Sequence, residues 1–127
     1  MSFSRLAAVA ALAILGISPA AAQPTPSQQV TILVYSFGYA PRPIHLAAGR
    51  PVTLTFVNRS GGSHDFTAPA FFAASTIRAG AAPGGEIELA GHQTKSITLI
   101  PRAGTYRARC THFMHSMFGM KDQIIVN

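Results

Sequence analysis

Thiols, tryptophan and acidic side chains are scarce in this chain. Its 127 residues include one cysteine, no tryptophan and four acidic residues against ten basic ones, for a formal net charge of +6. A single cysteine excludes an internal disulfide framework. No basic run exceeds two residues, which excludes the arm typical of nucleic-acid binding. The positive charge favours an acidic protein partner or an anionic membrane surface, or else only keeps the protein soluble.

Long apolar runs are also missing. The apolar run at Leu6–Ile17 is shorter than the roughly 20 residues that a membrane-spanning helix needs. Arg5 precedes this run and Ala20-Ala21-Ala22 follows it, which is the order of an export signal and its cleavage site. We therefore predict that residues 1–22 are a signal peptide that is removed. The protein is expected in the periplasm or another exported location, with no membrane span afterwards.

The rest of the chain predicts a short tether at 23–29 and one all-β domain at 30–127. Short apolar and β-branched segments alternate with turns rich in glycine and proline, a pattern that indicates seven or eight strands in a β-sandwich or barrel. One short helix is predicted at Pro69–Ile77. The predicted strands are Val30–Tyr35, Ile44–Leu46, Val52–Val57, Glu86–Leu89, Ser96–Ile100, Thr105–Cys110 and Gln123–Val126.

The single cysteine lies beside other residues that bind metals. Cys110, His115 and Met120 follow a Cys-x4-His-x4-Met pattern, and His64 lies far upstream. In an oxidising compartment, an unpaired thiol is protected when a metal binds it. One thiolate, two imidazoles and one thioether are the donors of a mononuclear blue-copper site. The sequence therefore predicts one copper ion that alternates between Cu(I) and Cu(II).

The same residues resemble the cupredoxins, and the resemblance extends from about Val30 to the end of the chain. It implies a Greek-key β-sandwich with copper near one end, held by His64, Cys110, His115 and Met120. The spacing of the ligand loop is similar to that of rusticyanin and auracyanin. The resemblance is carried by Tyr106-Arg-Ala-Arg-Cys110, His115, Gly119-Met120, Ile124-Ile125-Val126, Asn58 and His64-Asp-Phe66.

Further donors in the cysteine loop leave other ligand sets open. His112 is the weaker alternative to His115, because a two-residue step from Cys110 along an extended strand leaves little slack to converge on one ion. The remaining loop residues are candidates for a second copper ion or for a docking surface around His115. With His112, these candidates are Met114, Met117 and Phe118.

Neighbouring residues are expected to support the ligands. Asp65 is predicted to accept a hydrogen bond from the backbone N–H or the hydroxyl of Thr111, which would join the two ligand segments. Asn58 is predicted to cap the turn that leads to His64, which we interpret as a loop histidine. Three aromatic side chains are expected to line the site: Phe66, Phe113 and Phe118.

The donor set favours electron transfer over catalysis, because four protein ligands leave no position for a substrate. The chain also lacks the second cysteine of a binuclear copper centre and the second domain of a multicopper oxidase. We expect a monomer that exchanges single electrons with a cytochrome or copper enzyme. The surface of that partner is expected to be acidic. The alternative is a periplasmic copper chaperone or scavenger, which would leave His112, Met114 and Met117 exposed.

Overall fold

The computed structural model describes residues 9–21 and 27–127. Within these ranges the chain forms ten β-strands, one α-helix and two short 3-10 helices, and the strands build two five-stranded sheets. The all-β sandwich with one short helix is confirmed, but the expected number of strands was too low. The predicted cleavage site after Ala22 and most of the predicted tether lie outside the described residues.

The strands and the helix have these bounds: β1 Gln28–Tyr35, β2 Gly38–Ala40, β3 Ile44–Leu46, β4 Val52–Asn58, β5 His64–Thr67, α1 Pro69–Ala73, β6 Thr76–Ala79, β7 Glu86–Leu89, β8 Thr94–Ile100, β9 Gly104–Arg109 and β10 Lys121–Val126. One sheet has the order β2-β1-β4-β8-β6, and the other has the order β3-β10-β9-β5-β7. Among the described residues, the chain has no helix with the length and apolarity needed to cross a bilayer. From β2 to β9, successive strands belong to alternate sheets, whereas β1 and β2 share one sheet and β9 and β10 share the other.

Strand β4 shows why the chain folds as a sandwich. Val52, Leu54 and Phe56 are buried in the core between the sheets, because successive side chains of a strand point to opposite faces. Thr53 lies on the outer face, where its hydroxyl is 2.9 Å from the hydroxyl of Thr98 on β8. Apolar and polar residues therefore alternate along β4 in step with its two environments.

An aromatic column joins the two sheets beneath the end of β5. The ring of Phe66 lies 4.9 Å from Phe56 and 5.2 Å from Tyr39, measured between centroids. The Tyr39 hydroxyl donates a hydrogen bond to the backbone carbonyl of Asp65. Burial, the main cause, raises the pKa of Tyr39, so this hydroxyl keeps its proton and remains a donor. These contacts hold β5 in position against the first sheet.

The predicted helix Pro69–Ile77 was too long. The helix ends at Ala73, and Thr76–Ala79 is an edge strand of the first sheet. The Ser75 hydroxyl donates to the backbone carbonyl of Phe71 at 2.7 Å, which satisfies a carbonyl left over at the end of the helix. Both aromatic side chains of the helix are buried in the core: Phe71 and Phe72.

A buried carboxyl group lies on β10. Asp122 is 5% exposed, and its Oδ1 accepts a hydrogen bond from the backbone N–H of Gln123 at 2.7 Å. Its Oδ2 has no hydrogen-bond partner among the residues that the structure describes. Burial raises the pKa of Asp122 to about 6, although the Gln123 N–H and the positive charge of Arg42 oppose the shift.

Asp122 is expected to make the protein less stable as the pH rises. The pKa of Asp122 is higher in the folded state than in the unfolded state. The stability it contributes is therefore fully present below pH 3.8, the ordinary pKa, and is lost as the pH rises through about 6. Between about pH 4 and pH 7, the free energy of unfolding of Asp122→Asn should therefore rise by on the order of 2 kcal/mol relative to the original protein. Urea unfolding of both metal-free proteins measures this difference.

The pKa of His64 also differs between the folded and unfolded states. Because both proteins contain His64, its effect on the free energy of unfolding cancels in the comparison. The buried amide of the variant adds an offset that does not depend on pH. A difference in stability that stays constant over the whole pH range would contradict the prediction.

Candidate metal centre

Four donor residues meet at one end of the sandwich. Cys110 follows the last residue of β9, Met120 precedes the first residue of β10, and His115 lies in the loop between them. His64 is the first residue of β5, so its interpretation as a loop residue was wrong. Because β5 and β9 are neighbours in the second sheet, the ends of these strands deliver His64 and Cys110 to the same place.

The donor atoms lie close enough to share one ion. The Sγ of Cys110 is 3.4 Å from the Nδ1 of His115, which is 3.1 Å from the Nδ1 of His64. Each of the three residues offers one ligand atom that lies within 4.8 Å of those of the other two. Bonds of about 2.0–2.3 Å place two donors of one ion roughly 3.3–3.7 Å apart. The three side chains are therefore already arranged as three corners of a coordination shell.

Burial makes these groups suited to a metal cation. Cys110 is 1% exposed, and burial, the largest cause, raises the pKa of its thiol. Burial and the nearby His115 and His112 lower the pKa of His64, which keeps this imidazole neutral. A metal ion requires a deprotonated thiol and neutral imidazoles. Its positive charge would offset the cost of the buried thiolate, so the donor set fits a copper ion.

The loop that carries three of the donors is closed by its own backbone. The N–H of Cys110 donates to the carbonyl of Met120 at 3.1 Å, and the N–H of Met120 donates to the carbonyl of His115 at 3.1 Å. The chain reverses at Gly119, whose φ of +93° is a left-handed conformation that glycine adopts without strain. The reversal brings Met120, which is fully buried, back beside Cys110.

A carboxylate links the two ligand segments. Asp65, which is buried, accepts hydrogen bonds from the backbone N–H of Thr111 at 3.0 and 3.1 Å. It also accepts one from the Thr111 hydroxyl at 2.6 Å, and one from the Thr67 hydroxyl at 2.8 Å. The structure thus contains the predicted contact, formed by both the N–H and the hydroxyl of Thr111. It connects the residue after His64 to the residue after Cys110.

Asn58 organises the loop before His64. Its side-chain N–H donates to the carbonyl of Gly62 at 2.8 Å, and its Oδ1 accepts from the N–H of Ser60 at 3.0 Å. The loop packs against Gly91, where an added Cβ would lie 2.3 Å from the carbonyl oxygen of Gly61. Only glycine permits this approach, so Asn58 and Gly91 together set the path of the chain into β5.

His112 lies outside the three-donor cluster. Its Nε2 is 2.9 Å from Oε1 of Glu88 and 3.7 Å from Oδ2 of Asp65. Its ring stacks on that of His115, with centroids 5.6 Å apart and planes at 19°. His115 therefore faces the thiol and His64, whereas His112 faces the carboxylates on the outside of the second sheet.

An apolar rim surrounds His115 on the protein surface. Phe113 is 87% exposed and Phe118 is 61% exposed, so the expectation that these two side chains line the site was wrong. Both lie in the loop between β9 and β10 and point outward. Phe66 lies fully buried in the core below the site. We define the apolar rim as Phe37, Phe113, Met114, Met117 and Phe118.

Sequence reasoning missed two aromatic residues of the centre. The ring of Phe37, in the turn between β1 and β2, meets His115 edge-on at 5.1 Å and Phe118 at 5.5 Å. Tyr39 contributes the hydroxyl that holds the Asp65 carbonyl. Tyr39 lies on β2 and Phe37 in the turn before it, and nothing in their local pattern indicates that they reach residues far along the chain.

The chain matches the family model for the cupredoxin-like domain over residues 6–126. It is similar to the solved structure of auracyanin B, with 23% identity, a TM-score of 0.58 and coverage of 84% of this chain and 93% of that one. For reduced auracyanin of Roseiflexus castenholzii, the identity is 21%, the TM-score 0.60 and the coverage 81% and 99%.

For auracyanin A, described as a "blue" copper protein from the photosynthetic bacterium Chloroflexus aurantiacus, the identity is 23%, the TM-score 0.55 and the coverage 78% and 99%. At these identities the likeness shows the fold. No curated protein sequence matches the chain.

Replacement of Asp65 is expected to loosen the centre. In Asp65→Ala the hydrogen bonds to Thr111 are lost, and we expect copper affinity to fall roughly 10–100-fold, as for other residues that position metal ligands. Competition with a copper chelator, followed by visible absorption, measures this loss. Thr111→Val, which removes only the hydroxyl bond, should give an intermediate value.

Thr53→Val is the matched control, since it removes a threonine hydroxyl pair from the first sheet, away from the centre. The control should retain copper like the original protein. Equal copper retention in Asp65→Ala and the original protein would rule out a supporting role for this carboxylate.

Proposed function

The chain belongs to the cupredoxin-like family, and on this premise we propose that it carries single electrons between redox partners through one bound copper ion. The ligands in this proposal are His64, Cys110, His115 and Met120. The observation that carries it is the convergence of the Cys110 thiol with Nδ1 of both His115 and His64. When bound, copper supplies a one-electron Cu(I)/Cu(II) couple.

The protein supplies a nearly fixed set of donors. Two backbone hydrogen bonds close the loop from Cys110 to Met120, and the Asp65 carboxylate ties this loop to the strand that begins with His64. Ligands held in this way move little when an electron enters or leaves. A small rearrangement of the donors is the condition for fast outer-sphere electron exchange.

Substrate turnover is not part of the proposal. Cys110 and Met120 are buried, as is His64, and four protein donors fill the coordination sphere of a blue-copper ion. A substrate would have to displace a buried ligand to reach the metal. Electron transfer needs no such displacement, because the electron passes through the ligands themselves.

His115 provides the proposed path to the surface. It is half-buried, and the apolar rim surrounds it with the exposed side chains of Phe113, Met117 and Phe118. An exposed apolar cluster of this kind suits contact with another protein. We place the docking of the redox partner on the apolar rim, with His115 at its centre.

A groove lined with basic side chains runs beside the cysteine loop and favours an acidic partner. It has a volume of about 830 Å³ and reaches Ser116, next to His115. The acid that lines it is Asp122, which is itself buried. We define the basic groove by its four cationic residues, Arg42, Arg107, Arg109 and Lys121. Opposite charges across such an interface steer a partner towards contact.

Copper handling was the alternative function. The structure meets one condition for it, because Met114 and Met117 are 40% and 75% exposed. The comparisons give it no support, and three of the four donors proposed for copper are buried, as a carrier requires: His64, Cys110 and Met120. We therefore propose the carrier alone, as a monomer that acts in an exported compartment, in line with the predicted signal peptide at residues 1–22.

The thiolate of Cys110 is expected to give copper its spectrum. The copper-loaded protein should show intense visible thiolate-to-copper absorption and the narrow copper hyperfine splitting of a blue site in its EPR spectrum. Cys110→Ser should lose both, because an alkoxide or hydroxyl cannot replace the soft sulfur donor. His92→Ala, which changes a histidine outside the donor set, should keep both signals. A Cys110→Ser protein with unchanged absorption would refute the proposed ligand set.

Charge reversal in the basic groove should slow electron exchange with anions. Hexacyanoferrate serves as an anionic probe and a tris-phenanthroline cobalt complex as a cationic one. In Arg107→Glu/Arg109→Glu we expect the rate with hexacyanoferrate to fall roughly tenfold at low salt, and the rate with the cobalt complex to rise. Both effects should shrink above about 0.1 M salt, where screening acts within about 10 Å.

Arg50→Glu/Arg78→Glu is the matched control, since it makes the same change in net charge at exposed residues outside the basic groove. If both double variants slow hexacyanoferrate equally, the net charge of the protein and not the basic groove directs anions.

A further inference from the structure

A second group of potential ligands lies behind His112. Asp65, Glu88 and His112 each offer one donor atom, and these atoms lie within 4.8 Å of one another. The Nε2 of His112 is 2.9 Å from Oε1 of Glu88 and 3.7 Å from Oδ2 of Asp65. These two distances bracket the roughly 3.4 Å that separates a nitrogen and an oxygen bound to one tetrahedral zinc ion.

The fold explains why these three side chains share a face. Asp65 on β5 pairs with Glu88 on β7 in the antiparallel register. Phe66 and Leu89 point into the core, so the residues beside them in each strand point to the outer face of the sheet. The loop after Cys110 then crosses this face and places His112 above both carboxylates.

Negative charge is concentrated at this place in a basic protein. Three of the four acidic residues of the chain lie here: Asp65, Glu86 and Glu88. The pKa of Glu86 is raised, first by its hydrogen bonding with the Glu88 carboxylate and then by burial. The carboxylates are therefore crowded together. A cation between them would relieve this crowding.

Each of the three donors has capacity left for a cation. The Thr111 N–H is shared between both oxygens of Asp65, at 3.0 and 3.1 Å. Oδ2 also accepts from the Thr111 hydroxyl, and Oδ1 accepts from the Thr67 hydroxyl. These three donor hydrogens occupy three of the roughly four lone-pair sites of the carboxylate, which leaves one for a cation. The side chains of His112 and Glu88 are 32% and 47% exposed, so an ion has a path from solvent and water can complete its shell.

We propose that His112, Glu88 and Asp65 form a second metal site, which binds one divalent cation of the zinc type at the surface. An imidazole with two carboxylates is a donor set that zinc accepts. The site is separate from the copper donors: His64, Cys110 and His115 form one group of ligand atoms, and these three residues form another. The proposal does not depend on the proposed electron transfer.

Titration of the copper-loaded protein with Zn²⁺ tests the proposal. Unchanged blue absorption shows that copper stays in the first site, and isothermal titration calorimetry then counts the zinc bound. We expect one Zn²⁺ per chain in the original protein. In Glu88→Gln and His112→Ala the zinc affinity should be at least about tenfold lower, because each variant lacks one donor.

His45→Ala is the matched control. It removes a histidine that is exposed on β3, outside both groups of ligand atoms, and it should bind zinc like the original protein. Glu88→Gln is the cleaner of the two test variants, since His112 also stacks on His115. The proposal is overturned if the original protein binds no zinc, or if Glu88→Gln and His112→Ala both bind it as well as the control.

Discussion

The hydrogen bonds between the Asp65 carboxylate and Thr111 are the contact that joins the two segments of the metal centre. They cross from the strand that begins with His64 to the loop that begins with Cys110. The backbone pairing of the two strands adds a second link further along, where Thr67 is paired with Arg109. Because Asp65 is buried, water competes little for its oxygens, and the link stays short and directional.

Local patterns in the sequence predict most strands of the sandwich, but not its shortest strands or those without alternation. Strands such as β4 and β7 can be predicted from their sequence, since burial of one face imposes an alternation of apolar and polar residues. The strands that were missed are short, such as β2, or lack alternation, such as β5, in which all four residues are buried. The helix after Pro69 was overextended because its end depends on a hydrogen bond of Ser75 that the local pattern does not reveal.

The donor residues were predictable for a chemical reason, and their surroundings were not. Thiol, imidazole and thioether at short intervals leave few chemistries open, so Cys110, His115 and Met120 could be named from their order alone. Phe37 reaches His115 only through the arrangement of the two sheets. The exposure of Phe113 depends on what covers the loop. Contacts of this kind are set by tertiary packing, which the spacing of residues along the chain does not encode.

The apolar rim is assembled from two distant parts of the chain, and this limits how the protein can be engineered. A loop transplanted from another copper protein, from Cys110 to Met120, would replace four of its five side chains and leave Phe37 in place. The new loop would then have to pack against a ring that evolved beside different neighbours. Under the proposed docking of a partner on the apolar rim, a change of partner preference by design requires that the turn between β1 and β2 be redesigned together with the loop.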